Sequence, residues 1–424
     1  MCIALVLLTA SCRGQTASVP ATSPPVPSVP ATSPPVPSIS PTARPPLLAT
    51  ATPTLRPERT PTAVATVTLR APSDFGCLAF QSEGLDIWLW SGGGVPRVLT
   101  QGEQPVFSPD GRYLAFYRYF PTEVWLRDLH DGSEARLHVG RPLVYDMAWS
   151  PDGKMLALTN GAYGKVVPTG DLWRVDIPDG VVRQLADEGG GSPRFSPDSR
   201  WIALVRTYWS PRADVWIMRS DGEQHRMLFD YLISQNLEWA RDSSGFALAL
   251  TRIGAADPWE KELWWVPVEG DPVELGRLAD AGNVQWQPGA ERLLYIPVSQ
   301  GESAAVHLAN RDGSGDLVVP GSEGMIVTGG YAGGRSVWSP DGRWFLAGNR
   351  SGRFYLVDTH NLGAPRPLDV EMVYGWLDAG HYLAGESAGP GVDLCRCAPL
   401  GPCEFLARVP GGITAYSYVS GCAR

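Results

Sequence analysis

Phe107-Ser-Pro-Asp-Gly-Arg-Tyr-Leu-Ala-Phe116 joins an aromatic residue, a tight turn and a short apolar strand. Ser108, Pro109, Asp110 and Gly111 suit a type I turn: serine opens it, proline pre-sets φ at the second position, aspartate suits the third and glycine closes it. Two antiparallel strands are expected to meet here.

The unit returns as Trp149-Ser-Pro-Asp-Gly153, Phe195-Ser-Pro-Asp-Ser199 and Trp338-Ser-Pro-Asp-Gly342, and in worn form as Trp239-Ala-Arg-Asp242, Trp286-Gln-Pro-Gly289 and Trp376-Leu-Asp-Ala-Gly380. Copies stand roughly 38 to 52 residues apart, the period of a propeller blade. A second series precedes the turns by about twenty residues, an acidic residue followed by an aliphatic and an aromatic one, again at blade spacing. It reads Asp86-Ile-Trp88, Glu123-Val-Trp125, Asp171-Leu-Trp173, Asp214-Val-Trp216 and Glu262-Leu-Trp264, and fades to Val306-His307, Phe354-Tyr355 and Leu394-Cys395.

These residues resemble the TolB-like, or WD40-like PD40, β-propeller repeat, over about residues 77 to 424. The resemblance implies an all-β fold of four-stranded blades, in which each turn joins the innermost strand of a blade to its second strand. Counted this way, the first unit begins at its second strand. Ile413-Thr-Ala-Tyr-Ser-Tyr-Val419 is the one strand left over, and it is expected to complete blade one and close a ring of eight blades. Seven blades are the alternative, with a degenerate unit packed outside the ring.

The apolar strand after the turn usually has alanine at its middle: Ala79, Ala115, Ala157, Ala203, Ala247 and Ala384. Side chains alternate across a strand, so a small residue between large ones leaves room for the aromatic of the next sheet. Leu294 and Leu346 break this pattern, and looser packing is expected around them.

Residues 1–12 carry an apolar run too short to span a bilayer, and Leu8-Thr-Ala-Ser-Cys12 resembles a bacterial lipobox, which implies a signal peptide and a lipid anchor on Cys12. Thr9 and the lack of a basic residue ahead of the run depart from that pattern. Residues 13–72 are rich in proline, threonine, serine and alanine, with VPATSPPVPS at 19–28 repeated at 29–38. Such a segment favours extended polyproline II and reads as a semi-rigid tether. The propeller is assigned 73–424, with an exported, surface or periplasmic location and a monomeric state.

A net charge of −9 argues against a nucleic-acid partner, which calls for basic patches. Cys77 and Cys422 flank the proposed closing strand pair, where a disulfide would stand in for the missing turn. Cys395, Cys397 and Cys403 share one hairpin, and one pair of them is expected to clasp it and leave one thiol; Cys397 and Cys403 are candidates, and the pairing among the three stays open. Their spacing matches no closed zinc site, so neither metal nor cofactor is assigned.

Gly385-Glu-Ser-Ala-Gly389 fits the nucleophile-elbow pattern and looks like the carboxylesterase form. That chemistry needs a strand-turn-helix and a later histidine, and no histidine follows Ser387. The pentapeptide is read as a loop between strands, and no catalytic residue is assigned. The repeated Asp110, Asp152, Asp198 and Asp341 are read as turn residues.

Longer connections are expected on one face only. They carry Arg118, Tyr119, Phe120, Arg141, Tyr145, Tyr163, Lys165, Tyr208, Trp209, Arg212, Tyr231, Trp259, Lys261, Tyr331 and Arg335, residue types suited to protein, peptide or glycan recognition. The leading expectation is a tethered binding or scaffolding module, the role the TolB-like resemblance implies. A hydrolase or lyase using converging acids such as Asp146, Asp230, Asp257 or Glu260, or a metal held in the funnel, is the rival, and a purely structural envelope spacer is the third reading.

Overall fold

The computed structural model describes residues 76–420 apart from 83, 92–94, 119–122, 138–142, 162–170, 188–190, 208–212, 253–260, 279–283, 298–303, 328–336, 411–412 and 414. The signal-like segment with Cys12, the tether and Cys422 lie outside the described residues. Within them every strand pairing is antiparallel, and there is no helix.

Eight four-stranded blades form a ring. Their innermost strands are Ala415–Val419 in blade 1, Glu103–Phe107 in blade 2, Leu143–Trp149 in blade 3 and Gly191–Phe195 in blade 4. Blade 5 uses the second half of Arg226–Trp239, and Gln285–Trp286, Met325–Ile326 and Met372–Asp378 serve blades 6, 7 and 8. Arg226–Trp239 belongs to two blades. Up to Leu232 it pairs with Ala213–Arg219 as the outer strand of blade 4, and from Leu232 it pairs with Gly245–Arg252 as the inner strand of blade 5. No glycine or proline interrupts it, so Tyr231, expected on a loop, lies within a strand.

The C-terminal strand pairs with Cys77–Gln81, placing Leu78 opposite Tyr418 and Phe80 opposite Tyr416. The backbone N–H of Phe107 in blade 2 also donates to Ser417 Oγ at 3.0 Å. The first and last described strands thus share blade 1. Cys77 is disulfide-bonded, and its expected partner Cys422 lies outside the described residues.

Eight apolar clusters hold the ring, each drawn from two successive blades. One joins Leu383 and Leu394 of blade 8 to Leu78, Phe80 and Trp90 of blade 1, so no sheet face is left over. Strand alternation splits each second strand between two clusters. Leu114 and Phe116 face blade 1, whereas Tyr113, Ala115 and Tyr117 face blade 3.

The two leucines that break the alanine pattern are not loosely packed. Leu294 shares its cluster with Ala347 of blade 7, and Leu346 shares its own with Ala384 of blade 8; all four are buried. The small residue has moved across the interface, which conserves volume. Ala384 is therefore not the middle residue of the repeat. Leu383 holds that position, facing blade 1, and Ala384 faces backward.

Turn chemistry matches the repeated Ser-Pro-Asp-Gly. Ser108 Oγ accepts from the Tyr113 N–H at 2.9 Å and donates to Asp110 Oδ1 at 2.5 Å, and Asp110 accepts from the Arg112 N–H at 3.1 Å. Ser150/Asp152, Ser196/Asp198 and Ser339/Asp341 pair in the same way. Each of these aspartates bonds within its own turn.

Candidate functional site: the loop-bearing rim and the axial polar strip

Inner strands run toward the tight turns, so the connections between second and third strands, and from one blade to the next, leave the opposite rim. Residues 119–122, 162–170, 208–212, 253–260 and 298–303 are connections of this kind. Tyr119, Phe120, Arg141, Tyr163, Lys165, Tyr208, Trp209, Arg212, Trp259, Tyr331 and Arg335 lie outside the described residues, while Tyr145 belongs to the strand Leu143–Trp149 rather than to a loop.

Blade 7 contains a feature that the repeat hides. Met325 pairs with Asn349 and Ile326 with Gly348, and the ladder resumes where Trp338 bridges Phe345 and the Leu346 N–H bonds the Val337 carbonyl. The described inner-strand pairing thus stops at Val327 and resumes at Val337, and Tyr331 and Arg335 fall between them, outside the described residues.

Arg118, expected to be a free binding group, is engaged by the frame. Its guanidinium lies 3.9 Å from the centroid of the Trp125 ring and pairs with Glu134 at 2.6 Å. It also donates to Thr100 Oγ1 and the Gln101 carbonyl of blade 1 at 3.2 and 3.3 Å. Arg206 over Trp216 and Arg252 over Trp264 repeat the stack. The acidic residue of the repeat completes the clasp: Glu262 accepts the Trp264 indole N–H at 2.9 Å and pairs with Arg252 and Arg277. The acidic-aliphatic-aromatic series is therefore a structural device. Lys261, also expected on the rim, opens the strand Lys261–Pro267 and is buried.

Toward the axis the inner strands of blades 3, 4 and 5 bring charge together. Arg194 Nη1 lies 3.6 Å from Asp146 Oδ2. Glu238, on the next blade, keeps part of its surface accessible yet sits deep enough that burial pushes its carboxyl up to about 7, against the opposing pull of Arg194. The Tyr117 hydroxyl is buried without a hydrogen-bond partner; burial first, and the Asp146 charge second, raise its pKa.

Asp146, expected as a loop acid, is thus an inner-strand residue; Asp230 also lies in a strand, and Asp257 and Glu260 lie outside the described residues. Glu238 escaped sequence reading. Its only signal is a charge immediately before the repeat aromatic, where blades 2, 3 and 7 carry Val106, Ala148 and Val337. Chemically, a carboxyl that keeps its proton near neutrality beside an arginine-carboxylate pair can donate or accept a hydrogen bond, or hold a cation.

Ser387 lies in the strand His381–Ala388 opposite Val392, and its N–H donates to Glu371 at 2.8 Å. The GESAG run is thus most of a strand and its hairpin, not a strand-turn-helix. Cys397 and Cys403 are joined in a disulfide, and Cys395 is free, its thiol pKa raised by burial. Among the described residues no group of three His, Cys, Asp or Glu could hold a metal ion.

No family model matches the chain. An uncharacterized protein of Agrobacterium fabrum is 26% identical over 175 residues, which cover 37% of this chain and 58% of that protein's length. Among solved structures, TolB from Acinetobacter baumannii is 12% identical with a TM-score of 0.40, over 82% of this chain and 68% of its own. A eukaryotic initiation factor is 11% identical with a TM-score of 0.51, over 82% and 99% of the two chains. A prolyl endopeptidase is 14% identical with a TM-score of 0.51, over 73% and 50%. The likeness to the last two is one of fold, and it places this chain among the β-propellers.

Proposed function

We propose that this chain is an exported, TolB-like propeller that acts as a binding or scaffolding module, anchored through its N-terminal segment and presenting its loop-bearing rim to a protein, peptide or glycan. The observation that carries this reading is the division of labour between the rims. Ser-Pro-Asp-Gly turns, spent on their own hydrogen bonds, form one rim. At the other, the strand ends are joined by segments whose sequence is rich in tyrosine, tryptophan and arginine, on a ring closed by eight interfaces. Variable loops on a rigid scaffold are where recognition concentrates. The Cys397–Cys403 disulfide supports an oxidising, exported location.

Arg194, paired with Asp146 and acting on the Glu238 carboxyl, favours a second reading, a hydrolase or lyase working at these inner-strand residues. One experiment separates the two. The full chain is screened on glycan and peptide arrays, with the paired variants Tyr208→Ala/Trp209→Ala and Tyr331→Ala/Arg335→Ala and with Glu238→Gln. Binding that falls at least about tenfold in the loop pairs and persists in Glu238→Gln is the expected result. Array ligands that wild type consumes and Glu238→Gln does not would replace this reading with the enzymatic one, and binding untouched by the loop pairs would remove it.

A further inference from the structure

On the opposite rim, neighbouring turns are latched to one another. The Asp152 N–H of blade 3 donates to Ser199 Oγ of blade 4 at 3.1 Å, and the Asp198 N–H of blade 4 donates to Ser243 Oγ of blade 5 at 2.9 Å. Blades 6 and 7 are tied by Gln287 Nε2 to the Gly342 carbonyl at 2.8 Å. Between blades 5 and 6 the repeat changes. Ala240 replaces the serine of the blade 5 turn, and Ala290 stands where Ser199 or Ser243 would supply a hydroxyl. Gly289 takes the left-handed conformation, φ +78°, one residue earlier than Gly111 or Gly153 do, which gives the proline-glycine form of a type II turn.

In place of a hydroxyl latch, Arg311 of blade 6 reaches Ser244 and Asp242 of the blade 5 turn, and beside it lies a cleft of about 390 Å3, lined by Ala240, Gly289 and Ala290, with Trp286 and four charged side chains completing it. That volume lies in the range of small-molecule sites.

Charge is rearranged at the same place. Arg241 occupies the position of Pro109, Pro151, Pro197 and Pro340, and Glu291 occupies that of the basic Arg112, Lys154, Arg200 and Arg343. In blades 2 and 7 that basic residue is tied to Asp128 or Asp358 at the end of the third strand. Blade 6 has Asn310 there. Arg241 and Glu291 make no hydrogen bond or ion pair among the described residues, whereas Arg311 is fixed, 3.0 Å from Ser244 Oγ, 3.6 Å from Asp242 Oδ2 and stacked 4.8 Å from the centroid of the Trp265 ring. Both signs of charge, one pair of them unengaged, thus line a cleft containing an indole. Arg241 and Glu291 thus depart from the proline and basic residue that blades 2, 3, 4 and 7 share, and such departures are where function is sought.

We propose that the cleft between blades 5 and 6 binds a small zwitterion, a molecule carrying both a carboxylate and an ammonium, as a free amino acid or a short unblocked peptide does. Arg241 and Arg311 take the carboxylate, Asp242 and Glu291 take the ammonium, and an apolar side chain rests against Trp286.

Calorimetric titration of the full chain with leucine, with leucyl-leucine and with N-acetyl-leucyl-leucinamide tests this. Saturable binding of leucine or leucyl-leucine that the doubly blocked peptide lacks is the expected result, and which free form binds more tightly identifies the source. Arg241→Ala and Glu291→Ala, both at exposed positions, should each weaken binding about tenfold. Ala290→Leu, also exposed, should abolish it by filling the cleft while leaving the thermal midpoint unchanged. Equal binding of the blocked peptide, no saturable heat with either free form, or full binding by Ala290→Leu would overturn the proposal.

Discussion

The indole N–H of Trp376 donates to the main-chain carbonyl of Val337 at 2.8 Å, across the interface between blades 8 and 7. The same relation joins Trp149 to Val106, Trp239 to Arg194 and Trp286 to Glu238, at 3.0 to 3.2 Å. In every case the acceptor is the residue just before the repeat aromatic of the preceding blade. Tryptophan at this position packs its interface and also satisfies an inner-strand carbonyl.

Trp376→Phe should therefore destabilise the ring by about 0.5–1.5 kcal/mol, because the Val337 carbonyl loses one of its two donors and keeps the Leu346 N–H. Phe107 and Phe195 occupy the equivalent position naturally, so the smaller ring is sterically acceptable there. Urea unfolding measures the difference. A midpoint indistinguishable from wild type would mean that the indole acts by packing alone.

Gly342 and Ser199 hold equivalent turn positions with opposite tolerance. A Cβ on Gly342 would come within 1.8 Å of the Pro288 carbonyl oxygen at φ +73°, so Gly342→Ala should cost roughly 3 kcal/mol or more through clash and strain together. Ser199, at φ +63°, bears about 1 kcal/mol of backbone strain and recovers a similar amount through its latch to Asp152. Ser199→Gly should accordingly lie near zero. Thermal melts of the two variants check the contrast, and comparable losses in both would contradict it.

Blade number, strand order and the closing strand were legible because turn chemistry is local: each Ser-Pro-Asp-Gly satisfies itself within five residues and recurs at a fixed period. What stayed hidden depends on non-local pairing. Arg226–Trp239 has no glycine or proline to mark where one blade ends and the next begins, so nothing local sets the boundary between the two blades it serves. Arg118 looks like a free cation in sequence, because nothing local announces Trp125, Thr100 and Glu134 as its neighbours. Glu238 becomes conspicuous only once three inner strands place it beside Arg194.

Leu294 and Ala347 should show strong energetic coupling. Leu294→Ala alone opens a cavity in a fully packed interface and should cost about 2–4 kcal/mol, while Ala347→Leu alone overpacks it by about 1–3 kcal/mol. The double exchange restores total volume and recreates the arrangement that other interfaces have, so it should recover at least about 1 kcal/mol relative to additivity. A double-mutant cycle by chemical denaturation reads this directly. Strict additivity would show that the two side chains do not share space.

Glu238 should make stability depend on pH in the neutral range. Burial raises its pKa from 4.5 to about 7 in the folded protein, so between those values the native state binds more protons than the unfolded chain. Stability must then fall as pH rises from about 4.5 through about 7, and level off above. Among the described residues the charge acting on this group is Arg194, which opposes the shift and itself lies 3.6 Å from Asp146 Oδ2. Glu238→Gln cannot ionise. It should flatten the profile and leave the protein more stable than wild type at pH 8 by roughly 1–3 kcal/mol, with the advantage vanishing toward pH 5. Parallel profiles for the two proteins from pH 5 to 8 would show that Glu238 titrates as an ordinary solvated acid, and would remove the ground for a proton-holding role at the axis.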